Sequence, residues 1–244
     1  MQVRPLWLID QPDIANRVVH LTGRTGQANS DRGPAISAMS AEERLERILV
    51  ERRIRAYPPF WSVGHPCVCF SEATPDGINR VISGPTRRYE PWGLGFSKQF
   101  VFNRGGGPAY YVRAEYWAAF GALPHNISAL ATLYWPGADP MQPGEILPHP
   151  FGRVSQFAHE REWRIPVAPP SDAVTFTVAD LALVIAPSAE WLQDLPDILG
   201  VGEGAIAHVE RILRPLPEEP QPQQNDEDDY ALRVALGLDP WDPL

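Results

Sequence analysis

Pro66-Cys67-Val68-Cys69-Phe70-Ser71-Glu72 is the stretch that decides the fold. Its small, aromatic and β-branched residues favour a pleated, half-buried surface, so it reads as a strand. Strand readings extend on both sides of it. Val18-Val19-His20-Leu21-Thr22-Gly23 is a short buried strand closed by glycine. Trp92-Gly93-Leu94-Gly95-Phe96-Ser97 is another, and its two glycines mark close backbone approach or a bulge. Asn103-Arg104-Gly105-Gly106-Gly107 is a plain turn, and Pro108 to Val112 is a third strand. Later candidates are Trp163 to Val167, Val174 to Val178 and Leu181 to Ile185. Between them, Ser40-x-x-Glu43 is a capping-box pattern opening a helix with Leu45, Ile48 and Leu49 on one stripe. A short helix is expected around Ile78 to Val81, a helix-rich stretch from Ala114 to Trp135, and helices at Ala189 to Leu199 and Glu203 to Leu213. Strands and helices do not alternate regularly. The pattern therefore predicts an α+β domain with a mixed or antiparallel sheet and flanking helices, not a doubly wound parallel sheet.

Composition sets the outer bounds. The chain has 244 residues, 44% hydrophobic and 21% charged, which is globular rather than disordered. Its 27 prolines imply many turns and argue against an all-helical bundle. A single α+β domain is expected over residues 1–215, with a mobile Gly/Ser/Asn-rich loop at about 24–40. An acidic, Pro-rich tail is expected over 216–244, in which Tyr230 to Leu238 can form one short helix. That tail holds much of the net charge of −9. No long Lys/Arg run signals a nucleic-acid footprint. Neither a signal peptide nor a continuous apolar run of membrane-spanning length is read, so a cytoplasmic protein is expected. Cys67 and Cys69 share one strand face, a poor geometry for a disulfide, and alone they cannot complete a zinc site. They read as small buried hydrophobes in a reducing compartment.

Phosphate-loop, H-E-x-x-H and G-x-S-x-G signatures are absent. The strongest candidate centre is His159-Glu160-Arg161-Glu162-Trp163-Arg164. If the chain is extended there, Glu160, Glu162 and Arg164 share one face, and crowded carboxylates acquire a raised pKa or an arginine partner. That pattern suits a catalytic acid or an electrostatic stabiliser. It equally suits a solvated strand edge with salt bridges. His20 and Thr22 face the same way at i and i+2. A hydrogen-bonded structural histidine is an equal reading of His20, and a strand-end cap is the commoner role for Ser71.

The ordered set His20-Leu21-Thr22-Gly23, Leu45 to Leu49, Val68-Cys69-Phe70-Ser71-Glu72, Trp92 to Lys98, Gly107-Pro108-Ala109-Tyr110-Tyr111 and Glu160-Arg161-Glu162-Trp163-Arg164 resembles the AbiGi-type abortive phage infection family. The resemblance spans roughly residues 18–168, with "CFSE…GLGFSK…EREWR" its most specific part. This layout is similar in motif order to the ADP-ribosyltransferase fold. That implies an early-strand position at His20, a middle position at Phe70-Ser71 and a late-strand Glu162 with Glu160 as its partner. NAD is then the implied substrate and no metal is implied. Glu162 would stabilise the positive charge that develops on ribose as nicotinamide leaves. His20 and Thr22 would hold ribose and amide, Phe70 or Tyr110 would stack on nicotinamide, and Glu160 would orient the acceptor.

Two functions follow. The first is an NAD-dependent ADP-ribosyltransferase-like effector of an abortive-infection or toxin–antitoxin phage-defence system. The second is a non-catalytic interaction protein, the antitoxin or sensor component of such a system, meeting a cognate toxin, antitoxin or phage protein through residues 217–244. A nuclease is weaker, since Glu160/Glu162 is the only close acidic pair read for a metal.

Overall fold

The computed structural model describes residues 15–23, 38–59, 64–72, 78, 82, 89–113, 116–134 and 161–214. Most of the 24–40 loop, Glu160 and the whole 216–244 tail lie outside them. Among the described residues no helix is long and apolar enough to cross a membrane.

The strands are β1 (Arg17–Leu21), β2 (Arg53–Arg55), β3 (Cys67–Ser71), β4 (Gly93–Ser97), β5 (Gly107–Pro108), β6 (Tyr110–Arg113), β7 (Ala131–Tyr134), β8 (Glu162–Pro166), β9 (Ala173–Thr175), β10 (Leu181–Ala186) and β11 (Glu210–Leu213). Seven of them form one sheet in the order β11-β10-β4-β1-β3-β8-β5, while β2–β9 and β6–β7 form two-stranded sheets. Within the large sheet β10–β11 is parallel and the other pairings are antiparallel. The expected α+β architecture with a mixed sheet and flanking helices is what the chain adopts.

Strand alternation sorts the sheet into two faces. Val18, Val68, Phe70, Leu94, Phe96, Ile165, Val184 and Ala186 belong to the main core. Helix α1 (Ala41–Glu51) contributes Leu45 and Leu49 to it, α2 (Lys98–Phe102) contributes Phe100 and Val101, and α5 (Ala189–Gln193) and α6 (Leu195–Leu199) contribute Trp191, Leu192, Leu195 and Leu199. Val19, Leu183 and Ile185 point the other way and pack with the helical residues Ile78 and Ile82.

Helix α1 starts where the capping box places it. Ser40 Oγ accepts from Glu43 N at 3.1 Å, and Ser40 N donates to Glu43 Oε2 at 2.7 Å. It ends at Arg52 in the left-handed region, φ 49°. The close approach read from Gly93 and Gly95 is also present. A Cβ on Gly95 would lie 2.6 Å from Leu183 Cγ, and one on Gly93 would lie 2.9 Å from the His20 carbonyl oxygen.

Three readings are corrected. Glu203–Leu213 is not one helix: a 3-10 turn (Glu203–Ile206) leads into β11, because pairing with β10 satisfies its backbone. The stretch from 114 to 135 does hold α3 (Trp117–Gly121) and α4 (His125–Ser128), but Ala131–Tyr134 is β7, parallel to β6. Ala131, Thr132 and Leu133 are all buried, and a short apolar run buried on every side carries no period that separates strand from helix. The strand expected at Pro108 to Val112 divides at Ala109, whose N–H donates to the Glu162 carbonyl at 2.8 Å. Gly107–Pro108 stays with β8, and Tyr110–Arg113 leaves for β7.

Gly95→Ala is expected to cost about 1–3 kcal/mol by overpacking against Leu183. Urea unfolding followed by tryptophan fluorescence measures it, and Leu183→Ala in the same chain should recover part of the loss. A Gly95→Ala protein as stable as the parent would contradict the close packing of β4 on β10.

Candidate functional site

The three strands that carry the motif residues are neighbours: β1 and β8 flank β3. Val19 opposes Ser71, Ser71 opposes Glu162, Phe70 opposes Trp163 and Cys69 opposes Arg164. Residues directly opposite each other share a face, and successive residues alternate. Ser71 and Glu162 therefore share one face, with Val19. His20 and Phe70 belong to the other. The sheet thus brings Ser71 to Glu162 and His20 to Phe70, but sets His20 and Glu162 on opposite faces.

His20 is anchored on its own side. Its Nδ1 lies 2.8 Å from the Cys69 carbonyl oxygen, which can only accept, so Nδ1 carries the proton there. Its ring meets Phe70 edge-on at 5.9 Å. Thr22 is buried, and its hydroxyl lies 2.7 Å from the Ala41 carbonyl oxygen and 3.2 Å from that of Trp92. That bond ties the end of β1 to the start of α1. Tyr110 is exposed, and its N–H donates to the Leu130 carbonyl at 2.8 Å. Glu160 lies outside the described residues.

Glu162 is bound by Arg164. Nε donates to Oε1 at 2.9 Å and Nη2 to Oε2 at 3.0 Å, a bidentate pair. The Arg164 side chain is 1% exposed and that of Glu162 14%. Nη1 donates to the carbonyls of Ala131 at 2.7 Å and Ala129 at 3.3 Å. Burial works against the charge on Arg164, but Glu162, with the two cysteines adding to it, more than offsets that and holds its pKa above the ordinary arginine value. The shared face read for Glu162 and Arg164 is thus filled by their own ion pair.

A second charged cluster was not foreseen. Glu72, nearly buried, receives Lys98 Nζ on Oε1 at 2.5 Å and Trp163 Nε1 on Oε2 at 2.7 Å. Lys98 Nζ also lies 5.2 Å from the centre of the Trp163 ring. The Glu72 N–H donates to the Arg161 carbonyl at 3.1 Å. "CFSE", "GLGFSK" and "EREWR" thus meet through Glu72, Lys98 and Trp163. The sequence signal was present, as a Glu and a Lys each just past a strand, but residues 26 apart reveal no pairing without the register.

Elsewhere, the His125 ring lies 4.6 Å from that of His65, and its Nε2 is buried without a hydrogen-bond partner. Burial and then His65 push the His125 pKa below its ordinary value. A cavity of about 320 Å³ lies among Arg17, Ser97, Phe100, Arg104, Asp180 and His208, and none of His20, Thr22, Phe70, Ser71, Tyr110 and Glu162 lines it. Among the described residues no group of three or more His, Cys, Asp or Glu is placed to hold a metal ion. No family model, curated protein or solved structure matches this chain.

Glu162→Gln should lower stability by roughly 3 kcal/mol, since it leaves a buried guanidinium without its counter-charge. Replacing the pair together, Glu162→Leu with Arg164→Met, should restore much of that loss in urea unfolding. A Glu162→Gln protein within about 0.5 kcal/mol of the parent would show that the pair does not hold the sheet. The His125 shift gives a pH dependence of known sign. A histidine depressed in the folded state binds its proton more readily when unfolded, so stability is kept above the unfolded value near about 6.5 and lost as pH falls through it. His125→Gln should flatten that part of the stability–pH curve.

Proposed function

We propose that this chain works by binding a partner, as the antitoxin or sensor component of a cytoplasmic abortive-infection or toxin–antitoxin phage-defence system. The observation that carries the reading is the surface from Tyr116 to Ile127. None of those twelve residues is Asp, Glu, Lys or Arg, and α3 within it buries no residue. Tyr116, Leu123 and Ile127 are exposed there, with Tyr110 on β6. A helical stretch without charge that does not pack into its own core is the kind of surface a protein partner covers. The motif residues support the same reading from the other side. Glu162 is neutralised by Arg164, Glu72 by Lys98, and Thr22 is tied to α1. The resemblance to the AbiGi-type family then reflects a shared scaffold.

One observation favours the NAD-dependent ADP-ribosyltransferase-like reading. Ser71 stands directly opposite Glu162 on an adjacent strand, and Arg164 holds that carboxylate, the kind of group that stabilising a ribosyl cation requires, in a fixed position. In that reading NAD lies on the Ser71–Glu162 face, and His20 does not touch it.

The two readings part in one experiment. The full chain, incubated with nicotinamide-labelled NAD, is expected to release no label above buffer. Leu123→Asp with Ile127→Asp is expected to abolish plaque protection while leaving the circular dichroism and unfolding midpoint unchanged. Label release that disappears in Ser71→Ala, with the fold intact, would overturn partner binding as the activity and restore the transferase.

A further inference from the structure

We propose that Cys67 and Cys69 form a binding site for a soft, thiophilic cation of the Cu(I) class. Both thiols are free, and their sulfurs lie 3.8 Å apart on one face of β3. Metal–sulfur bonds of about 2.3 Å spanning that separation subtend about 110° at the ion, a bent geometry with at least one position open to an outside ligand. The separation is set by the fold. β3 is held between β1 and β8, and both cysteine backbones have an additional partner. The Cys67 N–H and carbonyl pair with Tyr57 at 3.1 and 3.2 Å, and the Cys69 carbonyl accepts from His20 Nδ1 at 2.8 Å. The dithiol is therefore preorganised.

Chemistry selects the ion. Two thiolates without a third protein ligand among the described residues do not make a closed zinc centre, and they offer nothing to a hard, oxygen-seeking cation. Soft sulfur donors favour Cu(I). On loading, each thiol gives its proton to solvent, two sulfur–copper bonds form and the ion keeps its oxidation state. The resulting unit has one net negative charge and sits beside Arg164, the residue opposite Cys69 in register. Cys67 is buried and Cys69 only partly so. The inference is independent of both readings of Glu162.

The test uses the full chain under anaerobic conditions, with Cu(I) supplied as a coloured chelate. The folded protein should withdraw one equivalent per chain and develop thiolate-to-copper absorption in the ultraviolet. Cys69→Ser should weaken retention beyond the about tenfold to hundredfold loss typical of outer-shell changes. A second readout needs no variant: bound Cu(I) should protect both cysteines of the parent from alkylation by iodoacetamide, read by mass spectrometry. Failure to withdraw Cu(I), equal alkylation with and without it, or equal retention of Zn(II) would each overturn the proposal.

Discussion

The fold hangs on the Arg164 guanidinium. It lies inside the protein, and three of its nitrogens are used in two directions. Nε and Nη2 face Glu162 on the same strand, while Nη1 reaches the carbonyls of Ala129 and Ala131. Ala131 opens β7, so one side chain joins the seven-stranded sheet to the small β6–β7 sheet beside it. A lysine cannot replace it, because a single ammonium lacks the planar fork that serves a carboxylate and two carbonyls together. The pair is costly to break and gives little net stability over apolar residues of equal volume. Its value lies in fixing where the second sheet attaches.

The Glu72–Lys98–Trp163 cluster does for the opposite face of β8 what Arg164 does for the first. Successive residues of one strand, Trp163 and Arg164, thereby anchor two different polar networks on the two sides of the sheet. This explains how a run as charged as Arg161 to Arg164 sits beside the core: the carboxylate within it, and the one at the end of β3, each have a named cationic partner. It also alters the meaning of an ordered motif set. Residue types recurring at strand ends can signal a framework of paired charges as readily as a reaction centre.

Local chemistry made much of the architecture legible in the sequence. The capping box announced α1, the β-branched and aromatic runs announced β1, β3, β4 and β8, and the glycines of β4 announced the approach of its neighbours. What stayed hidden depended on register. Glu203 to Leu213 has helix-favouring residues, yet β10 offers it an edge to pair with. Ala131 to Tyr134 is too short and too uniformly buried to show a period. Spacing along the chain put Glu162 and Arg164 on one face, since two residues apart is the strand repeat. It could not say that His20 would fall on the opposite face, because that depends on Val19, not His20, standing opposite Ser71.

The strand order has a consequence for how the molecule is made. β1, the first described strand, ends near the middle of the sheet, yet its partners β3 and β4 lie about 50 and about 75 residues further along the chain. β8 joins β3 across about 90 residues, and β10 closes on β4 after a similar gap. During synthesis an apolar strand therefore emerges well before either neighbour, and each later addition must close a long loop before any contact repays it. Folding of this sheet is bound to be slow and late, with β1 exposed in the meantime as an open edge that chaperones or a waiting partner would find first.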